Sequence, residues 1–402
     1  MSGRRLLRHG RIFTSSGAGV LDDGAVVVED GRIAWVGPDR DLRAGEGEDE
    51  ETDLEHGLVT PGLVDAHSHP VYAGERFAEI AARSAGAPYG EIAAAGGGIA
   101  ATVAATRAAS RAELAVGLEE RLASFLSGGT TTLEAKTGYH LDEEGELAAV
   151  RLLAERAGGG PGPGGRALPA LEVTFLGGHA VGPEWAGDPD AYAAEVARWC
   201  PAARAAGARH ADVFCDEGYF TVRQGRVMLE AARGAGLVPR LHADELARTG
   251  GAELAAELGC ASADHLLCVD EAGIAALAAA GVVATLAPVT ALSMGRTPPA
   301  RALLEAGVTL ALGSDHNPGT CGTTSMSLVV ALGVAELGLS VVEALVAATA
   351  GGARSLRLGD RGRLEAGLRA DLVSWEADHE GAFAWSYGLA PRRVFLEGRP
   401  VA

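Results

Sequence analysis

Between residues 58 and 315 the chain alternates short apolar runs with longer stretches in which apolar residues recur every three or four positions. The apolar runs fall at 58–69, 130–136, 172–179, 211–216, 237–242, 263–267, 282–287 and 309–315, each short enough for a buried strand. Helical periodicity fills most of the gaps, at 110–127, 191–206, 222–235 and 250–258. Alternating β and α units predict a parallel sheet with helices packed outside it. Eight repeats, with no Gly-rich dinucleotide fingerprint after the first strand, favour a closed (β/α)8 TIM-like barrel over an open doubly wound sheet. The string GGG at 96–98 reads as a flexible loop, and AGGGPGPGGR at 157–166 as a solvated insertion before the third strand.

The two ends of the chain follow a different pattern. Short strands are predicted at 11–14, 24–29 and 32–37, with Asp-Gly pairs at 23–24 and 30–31 supplying hairpin chemistry. Similar strands recur at 370–375 and 393–401. Chain ends often lie close together. The expectation is therefore a small β-sandwich domain from residues 1–56 and 362–402, with the barrel at 57–361 inserted between them.

A formal net charge of −19 excludes nucleic acid as the expected partner, because phosphate binding needs clustered Lys and Arg. It leaves room for an anionic small molecule, which one buried Arg can hold. Cys200, Cys215, Cys260, Cys268 and Cys321 form no CxxC pair, which fits a reducing compartment. No apolar span is long enough to cross a membrane, and the N-terminus lacks an apolar signal core. A cytoplasmic protein without a membrane partner is the expectation.

The chemistry gathers at the predicted strand ends. His67 and His69 stand two apart in DAHSH (65–69), so both project from the same side of a strand and can face one metal ion. His179, Asp216, Glu217, His242, His265 and Asp315 end other strands, the edge where barrels of this kind place their catalytic groups. Three imidazoles and one carboxylate suit a divalent ion with one open position. His67, His69, His242 and Asp315 are the proposed ligands, with His265 orienting water or substrate. Glu245, three residues beyond His242, is placed to move a proton. Lys136 is read as an ordinary lysine paired with Glu134 or another acidic neighbour, which leaves one metal. His9, His56, His210 and His379 read as surface residues, and His140 is undecided.

These residues carry a resemblance. PGLVDAHSH at 61–69, the later strand-end His and GSD at 313–315 resemble the amidohydrolase superfamily, as does RLEAGLRADLV at 363–373. Within it, VYAGER (71–76), GGGIAATVAATR (96–107), EAKTGY (134–139), TFLGGH (174–179), LHADEL (241–246) and DHNPGT (315–320) look like the imidazolonepropionase family. The resemblance covers nearly the whole chain, in order. It implies hydrolysis of 4-imidazolone-5-propanoate to N-formimidoyl-L-glutamate, with zinc or iron as the metal. It implies that Arg76 holds the substrate carboxylate and that Tyr139 and His179 contact the ring or its carbonyl. Glu245, His265, His179 and Asp315 would act in catalysis. Asn317, Gly319 and Thr320 would bind substrate or product, with Tyr89 in the pocket wall. Ala66 and Ser68 replace the Cys and Thr frequent beside the ligands, and His316 stands where an aromatic is frequent.

A nucleobase deaminase or cyclic-ureide hydrolase would share the metal site but would not need the carboxylate clamp at Arg76. An inactive scaffold would be expected to lack a ligand, and none is missing. A homodimer through the barrel helices is the expected assembly.

Overall fold

Eight buried parallel strands form the centre of the computed structural model, which describes residues 4–43, 50–87, 91–92, 95–161 and 165–401. They are Leu63–Asp65, Thr130–Lys136, Ala170–Gly178, His210–Cys215, Leu241–Ala243, Ser262–His265, Val283–Leu286 and Leu310–Leu312. Every position in them is buried, as a parallel sheet covered on both faces requires. The first and last strands meet just beyond their ends. Ala66 N donates to Leu312 O (3.2 Å), Asp315 N to His67 O (2.8 Å) and His69 N to His316 O (2.8 Å). The sheet thus closes at the edge that carries the histidines.

Local sequence explains the helices around it. Ser110 and Glu113 form a capping box at the start of Arg111–Ser127, and Leu114, Leu118, Leu122 and Phe125 make its buried stripe. Thr221 and Gln224 do the same for Val222–Gly234. Asp188 caps Pro189–Ala206, whose Pro189 suits the first turn.

The terminal segments form one eight-stranded sheet. Arg399–Pro400, Pro391–Leu396, Leu372–Trp375, Leu58–Pro61, Arg5–Phe13, Val20–Glu29 and Arg32–Pro38 follow one another across it, and Glu50–Asp53 pairs with Arg5–Phe13. Its core includes Leu7, Ile12, Val26, Val28, Val59, Leu372 and Phe395. Trp375, fully buried, donates its indole N–H to Thr60 Oγ1 at 2.9 Å and so ties the two ends of the chain together.

Several boundaries differ from the expectation. The apolar run 58–69 is two strands, one in each sheet, broken at Gly62. A side chain at Gly62 would place Cβ 2.1 Å from Thr131 Oγ1, so the crossing between sheets needs glycine. Asp30 and Gly31 form the expected hairpin turn, both at positive φ. Asp23 and Gly24 do not: they lie inside Val20–Glu29, where Gly24 packs over Ile12 at a break in register. The segment at 96–98 is held in place rather than loose. Gly98 starts the helix Gly98–Ala108 and its amide donates to Glu79 Oε1 at 2.8 Å. His210 is 1 % exposed, not a surface residue, because it opens a strand that is buried throughout.

Candidate active site

His67 and His69 leave the first barrel strand on one side, as alternation requires. His67 Nδ1 lies 2.7 Å from Asp264 Oδ2, which makes Nδ1 the protonated nitrogen and leaves Nε2 with a lone pair. That Nε2 is 3.3 Å from His69 Nε2. Asp315 Oδ1 stands 3.6 Å from His67 Nε2 and 3.4 Å from His69 Nε2. His67 also converges with His242 and His265, with ring centroids 4.6 and 4.8 Å away. The structure therefore brings together all four proposed ligands and His265.

This donor set fits a divalent cation. The imidazoles of His67 and His69 are held well below the usual histidine range, first by burial and then by neighbouring cationic groups, so they offer lone pairs rather than charge. His69 Nδ1 is buried with no hydrogen-bond partner among the described residues.

Asp315 is bent to its task. Its φ is +50°, and His265 has φ +72°, conformations that cost non-glycine residues on the order of 1–3 kcal/mol each. Thr290 Oγ1 donates to Asp315 Oδ2 at 2.6 Å, leaving Oδ1 to face the imidazoles. Burial pushes the Asp315 carboxyl up to about 6. Glu245 is raised to about 7, chiefly by burial, against an opposing pull from His265, whose Nε2 is 3.7 Å from Glu245 Oε2. Asp216 builds the loop that carries it: its carboxylate accepts from the amides of Glu217, Glu245, Leu246 and Ala247.

Arg76, Tyr139, His179, Glu245, Asn317 and Thr320 line one cavity of about 50 Å³ with the imidazoles, and it adjoins a cleft of about 970 Å³. Arg76 is 5 % exposed, and its Nε and Nη2 each donate to Glu79 at 2.9 Å. Its Nη1 side lies over Gly319, where a Cβ would come within 2.3 Å. His179 stacks on His69 at 5.2 Å and contacts Gly138 O through Nδ1 at 3.0 Å. A carbonyl can only accept, so Nδ1 carries the hydrogen and Nε2 is an acceptor. Asn317 Oδ1 accepts from the amides of Gly319 and Thr320 at 2.8 Å each, and Nδ2 donates to Thr320 Oγ1 at 2.9 Å. Gly319 and Thr320 thus have their amides turned toward Asn317. Tyr89 lies outside the described residues.

His316 faces away from the cluster. Its Nδ1 contacts Thr323 O and its Nε2 the Tyr72 hydroxyl, each at 3.2 Å, beneath Arg121, which covers the Tyr72 ring. Lys136 is paired as expected, 2.9 Å from Glu134 and 2.6 Å from Asp212. Sequence reasoning missed Asp212, Asp264, Thr290 and the cavity wall at Phe214. Alternation along HADVFC (210–215) does place Asp212 and Phe214 on one side, a signal that was available.

Known proteins resemble this chain in sequence and in fold. A model of the amidohydrolase family matches residues 228–401, and one of an imidazolonepropionase-like composite domain of bacteria matches residues 24–44. The protein named Imidazolonepropionase from Anaeromyxobacter sp. (strain K) is 47% identical over 92% of this chain and 88% of its own. The one from Syntrophobacter fumaroxidans is 43% identical over 99% and 97%. The solved 5-methylcytosine deaminase from Klebsiella pneumoniae shares the fold at a TM-score of 0.77 and 16% identity, over 99% of this chain and 98% of that one. The adenosine deaminase from Xanthomonas campestris, solved with bound zinc, follows at a TM-score of 0.70 and 22% identity, over 98% and 92%. With the first two at more than 40% identity over nearly full length, this chain belongs to the imidazolonepropionase family of amidohydrolases.

Proposed function

We propose that this chain hydrolyses 4-imidazolone-5-propanoate to N-formimidoyl-L-glutamate in histidine degradation, using zinc or iron held by His67, His69, His242 and Asp315. The observation that carries this reading is one cavity in which a nearly buried Arg76 shares the lining with the strand-end imidazoles and Glu245, in a chain 43–47% identical to proteins named Imidazolonepropionase. The ion would supply Lewis acidity toward a carbonyl and toward water.

The chain's own groups supply the rest. Arg76, fixed by Glu79, meets the propanoate through its Nη1 side, and its planar fork suits a carboxylate. Tyr139 closes one wall of the cavity. His179 presents Nε2 as an acceptor, so it receives a ring N–H rather than donating to the ring carbonyl. Glu245 accepts the proton of the attacking water, and the ring C–N bond opens as that proton passes to the departing nitrogen. His265, beside Glu245, orients the water. Asn317 holds Gly319 and Thr320 in the loop under Arg76, where substrate or product would contact them. In this reading residues 57–361 form the catalytic barrel apart from the strand Leu58–Pro61, which pairs within the terminal sheet, and 1–56 and 362–402 make up the rest of the composite domain. The enzyme works in the cytoplasm as a homodimer through its barrel helices; five unpaired cysteines support that compartment.

Arg76→Met tests the substrate assignment. KM for the imidazolone is expected to rise by roughly 100-fold, about the 1.5–3 kcal/mol of one charged hydrogen-bonding group. The amide analogue of the substrate should lose far less. Steady-state kinetics with both compounds measure the difference, and equal losses would remove the carboxylate clamp.

A further inference from the structure

Beneath the convergent imidazoles lie charges to which the reaction above gives no part. Glu134, Lys136, Asp212, Arg240 and Asp264 are each at most 2 % exposed. Lys136 Nζ is 2.6 Å from Asp212 Oδ2, 2.9 Å from Glu134 Oε1 and 3.5 Å from Asp264 Oδ2. Those same two aspartate oxygens face imidazoles. Asp264 Oδ2 is hydrogen-bonded to His67 Nδ1 at 2.7 Å, and Asp212 Oδ2 lies 3.0 Å from His242 Nδ1, in contact but outside hydrogen-bond alignment. One ammonium therefore stands against both carboxylates that back two rings of the cluster.

The polarity of these contacts follows from the donors. An ammonium only donates, so an oxygen facing it accepts. An imidazole nitrogen that close to an accepting oxygen must carry the hydrogen, since a bare nitrogen would set lone pair against lone pair, and the opposite nitrogen of the neutral ring is left bare. Lys136 comes from the second barrel strand, Asp212 from the fourth and Asp264 from the sixth, so the contact spans the barrel interior. Arg240 anchors the other flank, 2.8 Å from Glu134 Oε1 and 3.3 Å from Asp264 Oδ2. His67, Glu134 and Asp264 also offer ligand atoms within 4.8 Å of one another, a place suited to a second cation. Lys136 and Arg240 already supply fixed cationic charge there.

We propose that Lys136 is a positioning residue for the single divalent ion: by bridging Asp212 and Asp264, it holds His242 and His67 with Nδ1 protonated and Nε2 turned to a common point. This rests on the ligand set proposed above. It assigns to a lysine remote from the substrate the task of tuning metal affinity.

The test is zinc affinity by chelator competition, with stoichiometry and thermal unfolding, on the full chain. Wild type should bind one zinc per chain. Lys136→Met should bind it about 10–100-fold more weakly per folded molecule, the scale of losses seen when groups behind metal ligands are removed. Should Lys136→Met fail to fold, Lys136→Gln, which removes the charge but keeps a polar end, carries the comparison with a loss of the same direction expected. A folded variant with unchanged zinc affinity but a lower unfolding temperature would make Lys136 merely structural and overturn the proposal. A wild type that binds no zinc or iron would instead bring down the ligand set, and this proposal with it.

Discussion

Asp315→Ala is expected to abolish metal binding and to lower kcat/KM by roughly 10⁴-fold, the several kcal/mol that a metal supplies to carbonyl hydrolysis. The reason is geometric: Asp315 Oδ1 faces the Nε2 atoms of both His67 and His69, at 3.6 and 3.4 Å, and Thr290 already engages Oδ2. The same substitution should not harm the metal-free fold. Burial raises the folded carboxyl from 3.8 to about 6. A group raised in the folded state contributes stability that is present below its unfolded pKa and lost as pH rises through the folded one. At pH 8 the ionised side chain therefore costs on the order of 3 kcal/mol in the ion-free protein. Metal-free Asp315→Ala should unfold at or above the wild-type temperature at pH 8. Zinc should raise the wild-type temperature and leave the variant unmoved. Thermal scans with and without zinc, beside metal analysis, check both halves. Full metal content in a folded Asp315→Ala would remove it from the ligand set.

Glu245→Gln should keep the fold and the metal yet lose roughly 10²–10⁴-fold in kcat, the range for a positioned proton-transfer group. Burial places the Glu245 carboxyl at about 7, so it can both take and return a proton near neutrality. As the base, it must begin ionised. Wild-type kcat/KM should therefore fall as pH drops through a midpoint at or below about pH 7, and the residual activity of Glu245→Gln should lack that limb. A variant with an unchanged pH profile would assign the proton transfer to His265 or Asp315 instead.

The parts of the site that share a strand end were legible in the sequence. His67 and His69 are two residues apart, and a strand turns that spacing into one direction. Glu245 follows a ligand by three residues, and the loop built by Asp216 keeps it at the cavity. What could not be read was pairing across the barrel. Asp264 backs His67 from 197 positions away, and nothing in either local string says which carboxylate meets which ring. Thr290 is equally silent, being one threonine in a short helix whose partner lies on the following strand's exit.

Fold boundaries failed for a related reason. An apolar run looks the same whether it fills one sheet or two, so the break at Gly62 shows only where Thr131 crowds it. An Asp-Gly pair signals a turn only if the chain reverses there. At residues 23–24 it serves close packing against Ile12 instead. His210 reads as a surface residue in sequence, yet the strand it opens is buried at every position.

The most direct measurement generates 4-imidazolone-5-propanoate in situ from urocanate with urocanase, adds the protein, and follows ultraviolet loss together with N-formimidoyl-L-glutamate. Metal-replete and chelated samples run side by side. Hydrolysis of this substrate predicts rapid product formation in the replete sample and little in the chelated one. A folded, metal-loaded protein that forms no N-formimidoyl-L-glutamate would contradict it.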